Sequence, residues 1–124
     1  GITQRTNFDG VTQLREWLGV KVDVIKDREI MHLKSYVTSL GNDVVVVTKK
    51  YSNHPILEGV ERLVIPSGEE YAADTLTIGD TVLMPAGYPR SHEMMRKAGY
   101  KVIPMNMSEI EKCDGALTCL SILF

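Results

Sequence analysis

The chain has 124 residues, room for one domain at most, and its 44% apolar and 24% charged residues are ordinary for a globular protein. A net charge of -2 at pH 7 removes the electrostatic case for a nucleic-acid partner. No apolar run approaches the roughly 18 residues of a membrane helix, so no membrane partner is expected either.

The opening residues Gly1–Arg5 lack the basic start and apolar stretch of a secretion signal. Val11, Leu14, Trp17 and Leu18 then fall on one helical face, and Gly19 supplies the stop. Lys21–Ile25 reads as a short strand, and Leu33–Leu40 as another that ends at the turn Gly41-Asn42-Asp43. Val44–Val47 is a continuous β-branched run, the pattern of a strand buried on both faces. Ser52–Gly59 reads as a short helix, and Leu63–Ile65 as a strand closed by Pro66.

The same order then recurs. Thr75–Ile78 is a strand, Gly79-Asp80 a turn and Thr81–Met84 the next strand. Ser91 is placed to cap a helix carrying Met94, Met95 and Ala98, with Gly99 past its end. Val102 and Ile103 form a strand closed by Pro104. Asp43 and Asp80 are 37 apart, Tyr51 and Tyr88 also 37, and the Ile-Pro pairs at Ile65 and Ile103 are 38 apart. A period of this size marks stacked or radially arranged supersecondary units, here strand–turn–strand–helix–strand. About two and a half units are present, few for a closed ring, so partner units are expected outside this chain. Ser108 and Glu111 fit a capping box, and residues 116–124 read as a strand opening a further unit.

Cys119 lies on that final strand, with Leu117, Ser121 and Leu123 on its face. An isolated cysteine in such a place is ordinarily core filler. Cys113 and Cys119 form no CxxC pair, and the expectation is two reduced thiols in a cytoplasmic protein. His32 precedes the strand that opens the first complete unit, nine residues before Gly41. If first strands line a central hub, His32 and Cys119 point into it from different units, as nucleophilic thiol catalysis requires. Asp114 is a carboxylate five residues before the thiol, and Arg5 a fork able to grip a carboxylate. His54 and His92 read as solvated, and the methionines as core. No GxGxxG, Walker loop or HExxH occurs.

His32-Leu33-Lys34-Ser35 and Asp114-Gly115-Ala116-Leu117-Thr118-Cys119 resemble the two signature segments of the dimethylarginine dimethylaminohydrolases. Arg5-Thr6-Asn7 and Met107-Ser108-Glu109-Ile110-Glu111-Lys112 resemble two further family segments, in order and at matching spacing. Lys34 after Leu33 favours this branch over the related arginine deiminases, whose histidine segment usually continues with an acid. The resemblance implies a five-unit α/β propeller, a pentein, of which this chain matches the carboxy-terminal half of one domain.

It further implies Cys119 as nucleophile and His32 as acid–base partner. Asp114 would bind guanidinium nitrogens, Arg5 the substrate's α-carboxylate, and the Cys113 carbonyl the substrate's amino group. No metal or organic cofactor is implied. The family's remaining substrate carboxylates, and the acid that orients the histidine, come from a first half with no counterpart here. The expected partners are therefore methylated arginine or a similar small molecule and an amino-terminal half, or a second copy of the chain. Two alternatives stay open: an arginine deiminase-like or other guanidine-modifying enzyme, and a non-catalytic half-propeller that binds amino acids or self-associates.

Overall fold

The computed structural model describes residues 1–123. They form two compact units, Gly1–Leu33 and the stretch from Lys34 onward.

The first unit contains helix α1, Phe8–Leu18, at the place the apolar spacing predicts. Asn7 sits in extended backbone and accepts the Gly10 amide on its side chain. Gly19, at φ 64°, ends the helix and donates its amide to the Arg15 carbonyl. Of the expected apolar face only Val11 is buried, while Leu14 is 43% and Trp17 82% exposed. The strand expected at Lys21–Ile25 is absent. The Arg15 guanidinium takes the Val22 carbonyl at 2.6 and 3.1 Å, which removes it from any ladder. What remains is a single bridge: the Ile2 amide donates to the Ile25 carbonyl at 2.8 Å and the Asp27 amide to the Ile2 carbonyl at 2.9 Å.

The second unit holds two three-stranded sheets of identical topology. The first comprises β1 (Val37–Gly41), β2 (Val44–Val47) and β3 (Glu61–Val64); the second β4 (Leu76–Ile78), β5 (Thr81–Pro85) and β6 (Lys101–Met105). In each, a hairpin makes an antiparallel pair, and a crossover brings in a parallel third strand. The first hairpin turns through Gly41, Asn42 and Asp43, all at positive φ. The sheets confirm the repeat, and the units differ chiefly in their crossovers. The second sheet's crossover carries helix α2, Pro89–Lys97, whereas in the first Ser52–Gly59 condenses to one 3-10 turn at Pro55–Leu57. Pro55 suits the first position of such a turn, and the His54 ring nitrogen accepts the Ile56 amide.

Three further expectations change. Leu33–Leu40 is not one strand: Leu33–Ser35 coils into a 3-10 turn and pairing starts only at Val37, opposite Val47. The capping box at Ser108 is not made; helix α3, Ser108–Glu111, has no side-chain cap from Met107, and Asn106 instead accepts the Ser108 amide. Residues 116–123 form no strand. Thr118–Leu120 is a 3-10 turn, because side chains and nearby carbonyls claim the backbone groups a ladder would need. Phe124 lies outside the described residues.

Val46, Val82, Met84 and Met95 centre the core, joined by Leu40, Ile65, Ala72 and Ala73. Met95 is core as expected, whereas Met105 is exposed on β6. The first strands of the two sheets meet directly. The Thr38 hydroxyl donates to the Ala73 carbonyl at 2.7 Å and shares a 2.6 Å bond with the Thr75 hydroxyl. These two threonines are 37 residues apart, one repeat.

Ser91 lies inside the first turn of α2 rather than at its cap. The cap comes from a distant carboxylate. Buried Glu69 accepts the Ser91 amide at 2.8 Å, the Ser91 hydroxyl at 2.6 Å, the Arg90 amide at 3.3 Å and Arg90 Nε at 3.0 Å. It thereby satisfies two of the orphan amides of the helix start. Burial opposes the charge on Glu69, but the Ser91 and Arg90 hydrogen bonds outweigh it and hold the carboxyl at about 2. Among the described residues no helix is long and apolar enough to cross a membrane.

Two stability tests follow from these contacts. With its pKa depressed in the folded state, ionised Glu69 stabilises the fold above pH 4.5, and that support drains away as pH falls towards about 2. Glu69→Gln should lower the urea midpoint at neutral pH and remove part of its decline across that acid window. Thr38→Val removes the hydroxyl that bonds the Ala73 carbonyl and the Thr75 hydroxyl, and should cost about 1–3 kcal/mol in the same assay.

Candidate active site

The thiol of interest is carried by a short, heavily tied segment. After α3 the chain reverses: the Cys113 and Gly115 amides both donate to the Ile110 carbonyl at 3.0 Å, and the Asp114 amide donates to the Glu111 carbonyl at 3.0 Å. Asp114 takes φ 56°, a left-handed conformation that Asp tolerates better than most side chains. Gly115 packs so closely that a Cβ there would lie 2.7 Å from Ile110 Cγ2. Ala116 and Leu117 are buried and anchor the next step. The Cys119 amide then donates to the Ala116 carbonyl at 3.1 Å, and the Ser121 hydroxyl to the Leu117 carbonyl at 2.9 Å. Cys119 is thus on a tight turn with its side chain exposed, neither on a strand nor in the core.

Two residues from the loop before β4 hold this turn. Asp74, 2% exposed, accepts the Thr118 amide on one oxygen and the Thr118 hydroxyl on the other, each at 2.9 Å. The Tyr71 hydroxyl donates to the Gly115 carbonyl at 2.7 Å. Burial first, then the charges of Glu111, Asp74 and Cys119, push the Tyr71 phenol up, so it stays a donor. Tyr88 lies beside it, ring centres 5.9 Å apart, and donates to Glu111 at 3.0 Å. Burial and that hydrogen bond raise its phenol to about 12.

The structure therefore places Cys113, Asp114 and Cys119, all three exposed, on one short stretch of the second unit. Arg5 and His32 belong to the first unit, and both are exposed. There the Thr3 hydroxyl donates to the Met31 carbonyl at 2.6 Å and accepts the Arg5 amide at 3.2 Å. The Arg5 guanidinium also reaches the Met31 sulfur at 3.9 Å. The arginine segment is thus tied to the residue preceding His32. Arg5 and Arg28 line a groove with Gln4, Thr6, Asn7 and Gly10, a set with two cations and no acid. Such a lining suits an anionic group. His54 and His92, expected to be solvated, are each half-buried. Among the described residues no three His, Cys, Asp or Glu side chains group as a metal site would need.

Sequence reasoning missed Asp74, Thr118 and Tyr71 as supports of the thiol. One signal was present. Thr38 and Thr75 are equivalent in the repeat, which sets Asp74 opposite Val37. A carboxylate where the other unit carries valine breaks the apolar pattern at one point.

Two hairpin-plus-parallel-strand units in series, joined through their first strands, define a stretch of α/β propeller. No protein-family model matches the chain. Among curated proteins it is 32% identical over its whole length to an N(G),N(G)-dimethylarginine dimethylaminohydrolase of Pseudomonas aeruginosa, of which it spans 50%. It is 34% identical over 95% of its length to the enzyme of that name from Streptomyces coelicolor, spanning 46% of it. Among solved structures it superposes with TM-score 0.91 on the Pseudomonas aeruginosa enzyme, crystallised as a cysteine-to-serine mutant complexed with citrulline. That match has 31% identity and covers 98% of this chain and 49% of the other. The chain is thus similar along nearly its whole length to dimethylarginine dimethylaminohydrolases, shares their fold, and spans about half the length of the relatives it matches.

The exposed positions of Cys113 and Cys119 carry an immediate expectation. Both thiols should titrate in the folded chain with a chromogenic disulfide reagent, without denaturant; a buried Cys119 would react only after unfolding.

Proposed function

We propose that this chain supplies the carboxy-terminal half of the active domain of a cysteine hydrolase that cleaves methylated arginine to citrulline and a methylamine. The observation that carries the reading is an exposed cysteine on a pinned turn, preceded by Asp114-Gly115, in a chain that aligns over 100% and 95% of its length with about half of two dimethylarginine dimethylaminohydrolases. The citrulline bound to the Pseudomonas aeruginosa relative is the product on which the scheme below ends, which supports it.

In this reading the Cys119 thiolate attacks the guanidinium carbon, forming a C–S bond. The C–N bond to dimethylamine breaks as His32 delivers a proton to the departing nitrogen. The product of that step is an S-alkyl thiouronium on Cys119. His32, now neutral, takes a proton from water as the water adds to the same carbon. The adduct then gives up its remaining hydroxyl proton to solvent as the C–S bond breaks, and citrulline leaves with Cys119 again a thiolate. Asp114 faces the guanidinium nitrogens. A guanidinium is resonance-stabilised and a poor electrophile, so an acid that fixes its plane orients the carbon for attack. Arg5, in a groove of cationic lining, holds the α-carboxylate by its fork, and the Cys113 carbonyl accepts from the α-amino group. Thiolate chemistry and proton transfer account for every step, so the scheme calls on no cofactor.

The pairing of His32 with Cys119 rests on the ordered motif match. The family's other substrate carboxylates fall in its first half, so a complete site also draws on an amino-terminal half, on the same polypeptide or a second one.

Mixing the chain with a separately produced amino-terminal half should create hydrolysis of dimethylarginine that these 124 residues alone lack. Cys119→Ser should abolish it, and His32→Ala should lower kcat by about a hundredfold or more. Ammonia release from arginine in place of dimethylamine release would move the assignment to a deiminase. Full turnover by the 124 residues alone would overturn the need for a second half.

A further inference from the structure

Asp74 is a buried carboxylate that the scheme above leaves without a part. Burying a carboxylate is costly unless its oxygens are satisfied, and apolar residues commonly serve a purely structural place as well. Each Asp74 oxygen accepts from Thr118, the neighbour of Cys119. The base beneath Asp74 is rigid. Its amide donates to the Tyr71 carbonyl at 3.3 Å, Ala73 before it is fully buried, and Thr75 after it forms the junction between the two sheets. The repeat offers an internal control. Val37 occupies the equivalent place in the first sheet, and no cysteine-bearing turn rests on it. The carboxylate appears where the turn appears.

We propose that Asp74 is a positioning residue for the nucleophile: gripping the Thr118 amide and hydroxyl together fixes the 3-10 turn that presents the Cys119 thiol. This inference rests on the proposed function, since it assigns a role to Asp74 only if Cys119 is the reacting group. Two bonds to one residue fix the turn in rotation as well as in position, which a single bond would not. Asp74 also transmits the junction at Thr75 to the thiol within two residues, so the two sheets and the turn share one origin.

The test uses Cys113 as an internal reference, because both cysteines are exposed and six residues apart. The folded chain, combined with the separately produced amino-terminal half, is alkylated with 2-chloroacetamidine, a small cationic alkylator. The ratio of Cys119 to Cys113 modification is read by peptide mass spectrometry, and fold is monitored by near-ultraviolet circular dichroism. Wild type should favour Cys119. Asp74→Ala should reduce that ratio roughly ten- to a hundredfold, the scale of a misplaced reacting atom. Thr118→Val removes the hydroxyl while keeping the carboxylate charge, and should reduce the ratio several-fold; Thr118→Ser should restore it.

If Asp74→Ala does not fold, the Thr118 pair decides. A ratio unchanged in folded Asp74→Ala or Thr118→Val overturns the positioning role and leaves the proposed function standing. A parallel loss at both cysteines also overturns it, since that is the mark of general destabilisation. Equal labelling of the two thiols in wild type overturns the proposed function, and this inference with it.

Discussion

The second unit depends on a pair of hydroxyls. Thr38 and Thr75 meet at 2.6 Å where the first strands of two small sheets come together. Thr38 also holds the Ala73 carbonyl, which closes the chain between the sheets. Each sheet has only three strands, and their apolar residues meet in one shared core. Each buries its apolar face because the other is fixed beside it, and buried hydroxyls with full partners fix relative position more sharply than apolar contact does. The Cys119 turn inherits that precision, since Asp74 is the residue next to Thr75.

The repeat and the sheets were legible in the sequence because they rest on local signals. Val44–Val47 has no other way to bury four β-branched residues, and the hairpin turn needs the left-handed backbone that Gly41, Asn42 and Asp43 accept. Three of the errors have a common cause. In each, a side chain or a remote group took backbone partners that local pattern would have left to regular structure. Arg15 claims the Val22 carbonyl and removes a strand. Glu69 claims the start of α2 and displaces Ser91 from capping. Asp74 claims Thr118 and turns a strand-like run into a 3-10 turn. Alternation of side chains along residues 116–123 carries no information about a carboxylate more than forty residues away.

The candidate site divides in the same manner. The identities of Cys119, Asp114 and Arg5 follow from motifs, because chemistry constrains residue type. The supports of the thiol do not, because a buried acid, a threonine and a tyrosine each have many ordinary uses. Only their convergence on one turn separates them from background. The two tyrosines illustrate this. Tyr71 and Tyr88 stack obliquely and send their hydroxyls to opposite ends of the segment before the cysteine. With both phenols pushed up, the segment keeps these two donors throughout the neutral range.

Helix α1 turns a different face to the surroundings. Leu14, Trp17 and Leu18 stand exposed along it, well beyond the scattered apolar side chains that surfaces normally carry. Trp17 is the chain's single tryptophan. Its indole begins in water, so its emission starts at the red end of the protein range. Any surface laid over α1 moves that emission to the blue, with no label attached. The chain thus carries its own optical gauge of when that helix face is covered.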